Sequence, residues 1–558
     1  MGSIYYVERN GVKYAYESTS RRVPGKKNPV TDKVYLGKVD PETGKIIPKE
    51  PRVRPEEEHV LRYGAVTVLD AVQDSLGLLE DLRESFPDVA DKVMGAAMAQ
   101  VIEPTCFDDL HFVVEGSIIA DVLKLRGNLS PTVMSDLSED VGGRYGAMDC
   151  FFRSRLARSA TGGPYALDLT SVSTYSDMGG WSEWGHDRDG ESLRQTEMIL
   201  VTDSDGVPVA FRMLPGSIAD SAVLRDTVEW MSELGCGSRL VMDRGFENAN
   251  NVASLLDMGI GFTMPSNIRE EPIKKLLTRA VADLRSSGTF RTHEGNSYKV
   301  AEYEVGVADL ENGHAYVTRV PDSHKDSGEV NAMFDRSRKI RAFVVYDPKK
   351  AADDINRMVS AVERAELQLE GTVRKDPEKE FSKLMPAVRR HLEWSVDEDG
   401  AMHLHRKQNS FTFEENRAGM FIMFASPGTS WEVMMTSYDV RDWVEKAFDI
   451  YKTDLDGSRS RTGDPDRARG RMFIKFIALI MRVTIQNRLR DHEREILASK
   501  RRKDNVCGLT VDSMMRSLST LMLIHSPGYD RLTPASETVR VIFALFGLEE
   551  PKSGRISR

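Results

Sequence analysis

Pro164-Tyr165-Ala166-Leu167-Asp168-Leu169-Thr170 opens the stretch whose reading decides the fold, and Gly261-Phe262-Thr263-Met264-Pro265 closes it. The opening segment is β-prone and apolar, with one acid set into it. Glu197-Met198-Ile199-Leu200-Val201 predicts a second strand and residues 207–214 a third. The turn residues Asp203-Ser204-Asp205-Gly206 make that pair a hairpin. Residues 218–234 carry apolar side chains at helical spacing and stop at Gly235. Arg239-Leu240-Val241-Met242-Asp243 predicts a fourth strand, residues 248–258 a helix, and the closing segment a fifth strand. The order is β-β-β-α-β-α-β, which places the chain in the α/β class with a mixed sheet.

Two acids stand out within that order. Asp168 interrupts an apolar strand, and Asp243 ends another. A carboxylate in such a place is costly unless it is paired, hydrogen-bonded or bound to metal. Taken singly, each reads more simply as a strand terminator or cap, and Asp243 suits the turn before the next helix. The element order is that of an RNase H-like domain, in which the first and fourth strands are neighbours. Two carboxylates would then converge at strand ends, where α/β sheets gather their sites, and they need a cation to stay ionised together.

A third acid comes from a helix. From Tyr438 to Lys452 the chain reads Tyr-Asp-Val-Arg-Asp-Trp-Val-Glu-Lys-Ala-Phe-Asp-Ile-Tyr-Lys. At about 100° per residue, Tyr438, Arg441, Glu445 and Lys452 fall within roughly 60° of one another, with apolar residues opposite. Thr436 and Asp439 have the spacing of a capping start. Periodicity alone reads this stripe as a solvated face. The residue types suit chemistry: Glu completes a metal site, and Arg and Lys hold phosphates.

The spacing Tyr-x2-Arg-x3-Glu-x6-Lys resembles the Y-R-E-K signature of insertion-sequence DDE transposases at all four positions. That group's first Asp lies in a strand like Leu167-Asp168-Leu169-Thr170-Ser171, and its second in a segment like Val241-Met242-Asp243-Arg244-Gly245-Phe246. The resemblance implies an RNase H-like catalytic domain with a β-rich insertion between the fifth strand and the Glu-bearing helix. It implies Asp168, Asp243 and Glu445 as the acidic triad, holding two Mg2+ ions with Mn2+ as a substitute. Tyr438, Arg441, Lys452 and Arg244 are the implied DNA-contacting residues. The implied substrates are the inverted repeats of double-stranded element DNA and a target DNA, acted on by a homodimer. Some relatives flip a base onto a Trp in the insertion, and Trp394 and Trp431 are available for that. An RNase H-like nuclease without strand transfer, or a domesticated transposase that only binds DNA, stays open at this point.

Outward from this core, the expected organisation is an N-terminal β-rich basic module (1–60) with possible DNA contact, and a helical DNA-binding region (61–150). The catalytic domain (151–269 and 431–500) is split by the insertion (270–430), and a helical tail follows (501–558). The N-terminal module includes Arg21-Arg22, Lys26-Lys27 and Arg52. Residues 69–86, 90–101 and a stretch from Ser130-Pro131 predict helices. Residues 459–503 carry fourteen Lys/Arg against five Asp/Glu, ending in Lys500-Arg501-Arg502-Lys503. Such runs are usually solvated surface, but here they offset a net charge of −10 that argues mildly against a polyanion partner. Cys106, Cys150, Cys236 and Cys507 have no CxxC spacing, which suits a reducing cytoplasm. No signal-peptide pattern opens the chain. The run 472–485 contains Lys475 and Arg482 and reads as a buried helix rather than a membrane span. His403 and His405 share one side of a strand without completing a zinc site. His186-Asp187-Arg188-Asp189-Gly190 reads as a polar loop, and Asp108-Asp109 as a helix start.

Overall fold

In a computed structural model of the chain, every element expected between 164 and 265 forms. The structure describes residues 3–9, 11–21, 30–41, 43–48, 58–159, 162–184, 193–216, 220–237, 239–268, 270–284, 289–321, 323–499, 503–526 and 529–556. Strands β1 (Tyr165–Thr174), β2 (Arg194–Thr202) and β3 (Pro208–Pro215) come first, then helix α1 (Asp220–Glu233). Strand β4 (Leu240–Met242), helix α2 (Ala249–Asp257) and strand β5 (Phe262–Pro265) follow. Beyond them lie β6 (Asn296–Leu310), β7 (Arg338–Tyr346), α3 (Pro348–Leu369), β8 (Met420–Ala425), α4 (Trp431–Asp449) and α5 (Pro465–Ala498).

All eight strands belong to one eleven-stranded mixed sheet. Its order is β3-β2-β1-β4-β5-β8-β7-β6, with Phe290–His293 next to β6 at the edge. Gly313–Val317 adds to β6, and Arg459–Ser460 adds to β1. Strand β1 runs antiparallel to β2 and parallel to β4, and β4 is parallel to β5. The central strands are apolar on both faces because both faces are covered. In β1 every residue is buried except Asp168, which is half-buried.

The region 270–430 contributes β6, β7 and β8 to this same sheet. A smaller core within it packs α3 against a three-stranded sheet of Thr372–Val373, Leu392–Val396 and Ala401–Arg406. The stretch 69–86, read as one helix, is two helices, Gly64–Leu76 and Leu78–Ser85. They break at Gly77, whose φ of 64° lies in the left-handed region.

Helix α5 is the spine of the helical part. Its run 472–485 is buried but for the half-buried Thr484, and Arg482, 1% exposed, pairs through one terminal nitrogen with Asp454 at 2.9 Å and Asp512 at 2.6 Å. Helix Pro131–Gly143 crosses α5 at two glycines. A Cβ on Gly142 would stand 1.7 Å from the Asp466 carbonyl oxygen, and one on Gly470 would stand 1.8 Å from that of Ser138. Among the described residues no helix is long and apolar enough to cross a membrane.

The chain divides into two compact units. One holds residues 62–521 and 536–550, and the other residues 1–61, 522–535 and 551–558. The smaller unit has a meander of Ser3–Arg9, Val12–Arg21, Val30–Val39 and Ile46–Pro48. It also has a sheet in which Met522–Ser526 pairs with Tyr529–Leu532. Those two strands correct the expectation of a helical tail throughout 501–558. A short apolar run supports helix or strand equally, and pairing with a neighbouring strand decides it here. Arg22, Lys26-Lys27, Arg52, Lys500-Arg501-Arg502 and the loop 186–190 lie outside the described residues.

Candidate active site

The parallel register of β1 and β4 pairs Leu167 with Met242. Asp168 follows Leu167 within β1 and Asp243 follows Met242 just beyond the end of β4, so each acid lies one residue past the last paired residues of two adjacent parallel strands. Asp168 accepts the backbone N–H of Leu169 at 2.8 Å. Asp243 stands just past the end of β4, at the start of a single helical turn Arg244–Phe246, and its side chain makes no capping hydrogen bond. Helix α2 is capped instead by Asn248, which accepts the Asn251 N–H at 2.9 Å. The capping role available to Asp243 is therefore filled elsewhere, and its carboxylate faces helix α4.

Helix α4 starts at Trp431, capped by Ser430 through the Val433 N–H at 3.3 Å. This corrects the start expected at Thr436, which lies inside the helix. Met434, Val440, Val444 and Ala447 are buried, which fixes the face that carries Tyr438, Arg441 and Glu445. The Arg441 guanidinium lies 3.3 Å from Asp243 and forms a short ion pair with Glu445. It also reaches the Tyr438 hydroxyl at 3.4 Å. One cation therefore links an acid from a strand end with an acid from a helix. Burial works against the Arg441 charge, but Asp243, Tyr438 and Glu445 outweigh it and hold its pKa above the ordinary value. The Tyr438 ring stacks on Phe421 of β8, which anchors the helix over the sheet.

Lys452 is placed differently from expectation. Residues Ile450–Asp454 form a π-helical turn, so the α-helical angle that put Lys452 on the stripe does not persist to it. It is half-buried in that turn. Arg244 is exposed beside Asp243, and its carbonyl accepts from Asn267 at 3.1 Å. Trp431 is 3% exposed and packed among Tyr298 and Phe343, so it is core. Trp394 is half-buried and packs against Phe381 in the smaller core. His403 lies between Glu370 and Asp397, each on a different ring nitrogen, so they cannot chelate one ion with it. Asp108-Asp109 does precede a helix, Leu110–Glu115, with Asp109 in the capping position, although its side chain accepts from the Cys106 thiol at 2.9 Å rather than from the helix backbone.

One pair escaped the sequence. His293, at the end of the Phe290–His293 strand, meets Asp439 of α4 at 2.5 Å, two residues before Arg441. Burial raises the Asp439 pKa, and His293 partly offsets that. Asp439 was visible inside the signature segment, but nothing near His293 in the chain marked it.

Asp168, Asp243 and Glu445 offer only oxygen donors, and the latter two stay 40% and 48% exposed beside buried strands. That donor set fits a hard divalent cation. Among the described residues, the groups with three ligand-type atoms all within 4.8 Å are His492-Asp504-Cys507 and His293-Glu294-Asp439. The three acids are not drawn that close, and Arg441 supplies the positive charge between two of them. A comparison with curated proteins returned no match. The family model described as a transposase DDE domain matches residues 161–481, which begin just before β1 and end within α5. The acid-bearing strands and the helix of Arg441 and Glu445 all fall inside that match, and the chain belongs to the DDE-domain transposase family.

Proposed function

We propose that this transposase cleaves DNA at the ends of an insertion sequence and joins them to target DNA, with Asp168, Asp243 and Glu445 as its acids. The observation that carries the reading is the Arg441 bridge between Asp243 and Glu445, with Asp168 on the strand parallel to the one that ends just before Asp243. The strand order β3-β2-β1-β4-β5 supports an RNase H-like core, and the Tyr438-Arg441-Glu445 face supports the Y-R-E-K subgroup. Residues 270–430 hold the place of the β-rich insertion of that group, although their longest strands extend the main sheet.

Asp168, Asp243 and Glu445 would hold two Mg2+ ions, which when bound activate a water or 3′-hydroxyl nucleophile and stabilise the leaving oxygen. The protein's own part is positional. β1 and β4 fix two carboxylates side by side. Helix α4 brings the third, and its half-buried Arg441, paired with two of the acids here, would exchange them for a DNA phosphate. Tyr438 would orient the guanidinium through its hydroxyl, and Arg244 and Lys452 would add further phosphate contacts.

The test is a DNA substrate carrying element ends, assayed for Mg2+-dependent nicking and strand transfer with Asp243→Asn and Glu445→Gln. Each variant is expected to lose activity by a factor of about 100 or more while still binding the DNA. Unchanged activity in Asp243→Ala would sink the reading. Nicking without strand transfer would favour the nuclease.

A further inference from the structure

The buried face of α5 ends in a histidine. Ile485 and Leu489 are buried, and His492 follows them at the i, i+4, i+7 spacing of one helix face, with its ring half-buried. The chain comes back to that face through residues 503–510, which lead into the helix Val511–Leu518. Val506, 1% exposed, pins this return segment in the core, and its carbonyl accepts the Leu509 N–H at 3.1 Å. Asp512 pairs with Arg482 of α5 at 2.6 Å and fixes the far end.

Within the return segment Asp504 uses its two oxygens differently. One accepts the Val506 and Cys507 N–H groups at 3.0 and 3.1 Å, which shapes the turn. The other faces the His492 Nε2 at 2.8 Å. The same turn brings in the half-buried Cys507, so that one nitrogen, one oxygen and one sulfur all lie within 4.8 Å of one another. Lys503, beside Asp504 in the chain, pairs with Glu493 at 2.7 Å, so those two charges offset each other rather than Asp504.

An imidazole, a carboxylate and a thiolate make a donor set for Zn2+ and a poor one for the hard ions that prefer oxygen alone. Donors around a tetrahedral zinc, about 2.0–2.3 Å from it, stand about 3.3–3.6 Å apart. His492 and Asp504 need separate by only about half an ångström to reach that spacing. We propose that His492, Asp504 and Cys507 bind one Zn2+ ion, with water in the fourth position. Cys507 enters as the thiolate and releases one proton. His492 binds through Nε2 as the tautomer protonated at Nδ1, and Asp504 through the oxygen that the turn leaves free. The two positive charges of the ion match the carboxylate and the thiolate. Its role is to fasten the return segment to the end of α5. This ion is separate from any held by Asp168, Asp243 and Glu445, which offer oxygen alone.

The experiment strips the full chain of metal with a chelator under a thiol-free reductant, then titrates it with Co2+ and afterwards with Zn2+. One sulfur-bound Co2+ per chain is expected, seen as a thiolate-to-cobalt charge-transfer band that Zn2+ bleaches. Cys507→Ser should abolish the band, whereas Asp243→Asn and Glu445→Gln should keep it. Asp504→Asn retains an acceptor for the two N–H groups of the turn, and His492→Gln retains a polar side chain on α5. Each is expected to weaken Zn2+ binding at least about tenfold. Zn2+ should also slow amide exchange in residues 503–510 of the parent and not of Cys507→Ser. Should Cys507→Ser fail to fold, Asp504→Asn and His492→Gln carry the measurement. A parent without the band overturns the inference and leaves a hydrogen-bonded knot between the helix and the return segment. A band that survives in Cys507→Ser arises at another cysteine and overturns it as well, as does parent-like Zn2+ affinity in Asp504→Asn and His492→Gln.

Discussion

Arg441→Gln separates a structural clamp from a competitor for metal. In the structure the guanidinium holds Asp243 at 3.3 Å and Glu445 more closely, with the arginine 21% exposed and the acids 40% and 48%. Pairs this exposed are screened, and each contributes on the order of 0.5–1 kcal/mol. Their loss therefore costs about 1–2 kcal/mol of folding stability, from the two pairs together. The same 1–2 kcal/mol must be given up when a divalent cation takes those oxygens. Removing the arginine is thus expected to tighten metal binding by about fivefold to thirtyfold. Cleavage at saturating metal is expected to fall about 100-fold, because the phosphate contact goes too. The assays are Mn2+ calorimetry without DNA, thermal melting, and nicking at saturating metal. Metal affinity that is unchanged or weaker in the variant would refute the idea that Arg441 holds the acids in place of a cation. A loss of stability with full cleavage would reduce it to a structural bridge.

Further outcomes follow from the surroundings of this site. Burial pushes the Asp203 carboxyl up to about 6, although it accepts the Val207 and Asp205 N–H groups at 2.9 and 3.0 Å. The folded chain then holds that proton more tightly than the unfolded chain between about pH 4 and 6, so this group's contribution to stability falls as pH rises through that window. Asp203→Asn keeps the accepting oxygen and is expected to raise the melting temperature at pH 7.5, by up to about 3 kcal/mol in stability, with little change near pH 4. Gly206→Ala places a methyl 2.7 Å from the Trp443 Cβ at a φ of +78°. It is expected to cost about 2–4 kcal/mol in urea unfolding and to loosen α4. Gly470→Ala should destabilise by a similar margin despite the better helix propensity of alanine, because the methyl meets the Ser138 carbonyl at 1.8 Å. A more stable Gly470→Ala chain would show that the two helices separate at little cost.

Strand and helix existence was legible wherever one pattern ruled a segment. The elements between 165 and 265 fall within a few residues of expectation, because apolar runs bounded by Asp203-Ser204-Asp205-Gly206 and by Gly235 leave little choice. The tail at 522–532 was misread because a short apolar run supports helix or strand equally, and its pairing partner decides. Glu445 and Arg441 were legible from spacing, since one helix carries both. Lys452 was less so: the π turn at Ile450–Asp454 changes the angle per residue, and spacing alone does not reveal it.

The sequence by itself determined the element order, the chain order of the three candidate acids, and a helix with one polar and one buried face. These depend on local periodicity and residue type, which a linear chain displays. Only the tertiary structure decided that Asp168 and Asp243 each follow the last paired residues of two adjacent parallel strands, that Arg441 rather than a capping turn receives Asp243, and that His293 reaches Asp439. It also gathered His492, Asp504 and Cys507 at the end of α5. Contacts between residues tens to hundreds of positions apart depend on sheet register and helix crossing. Those are fixed by close packing of the whole core rather than by any segment alone.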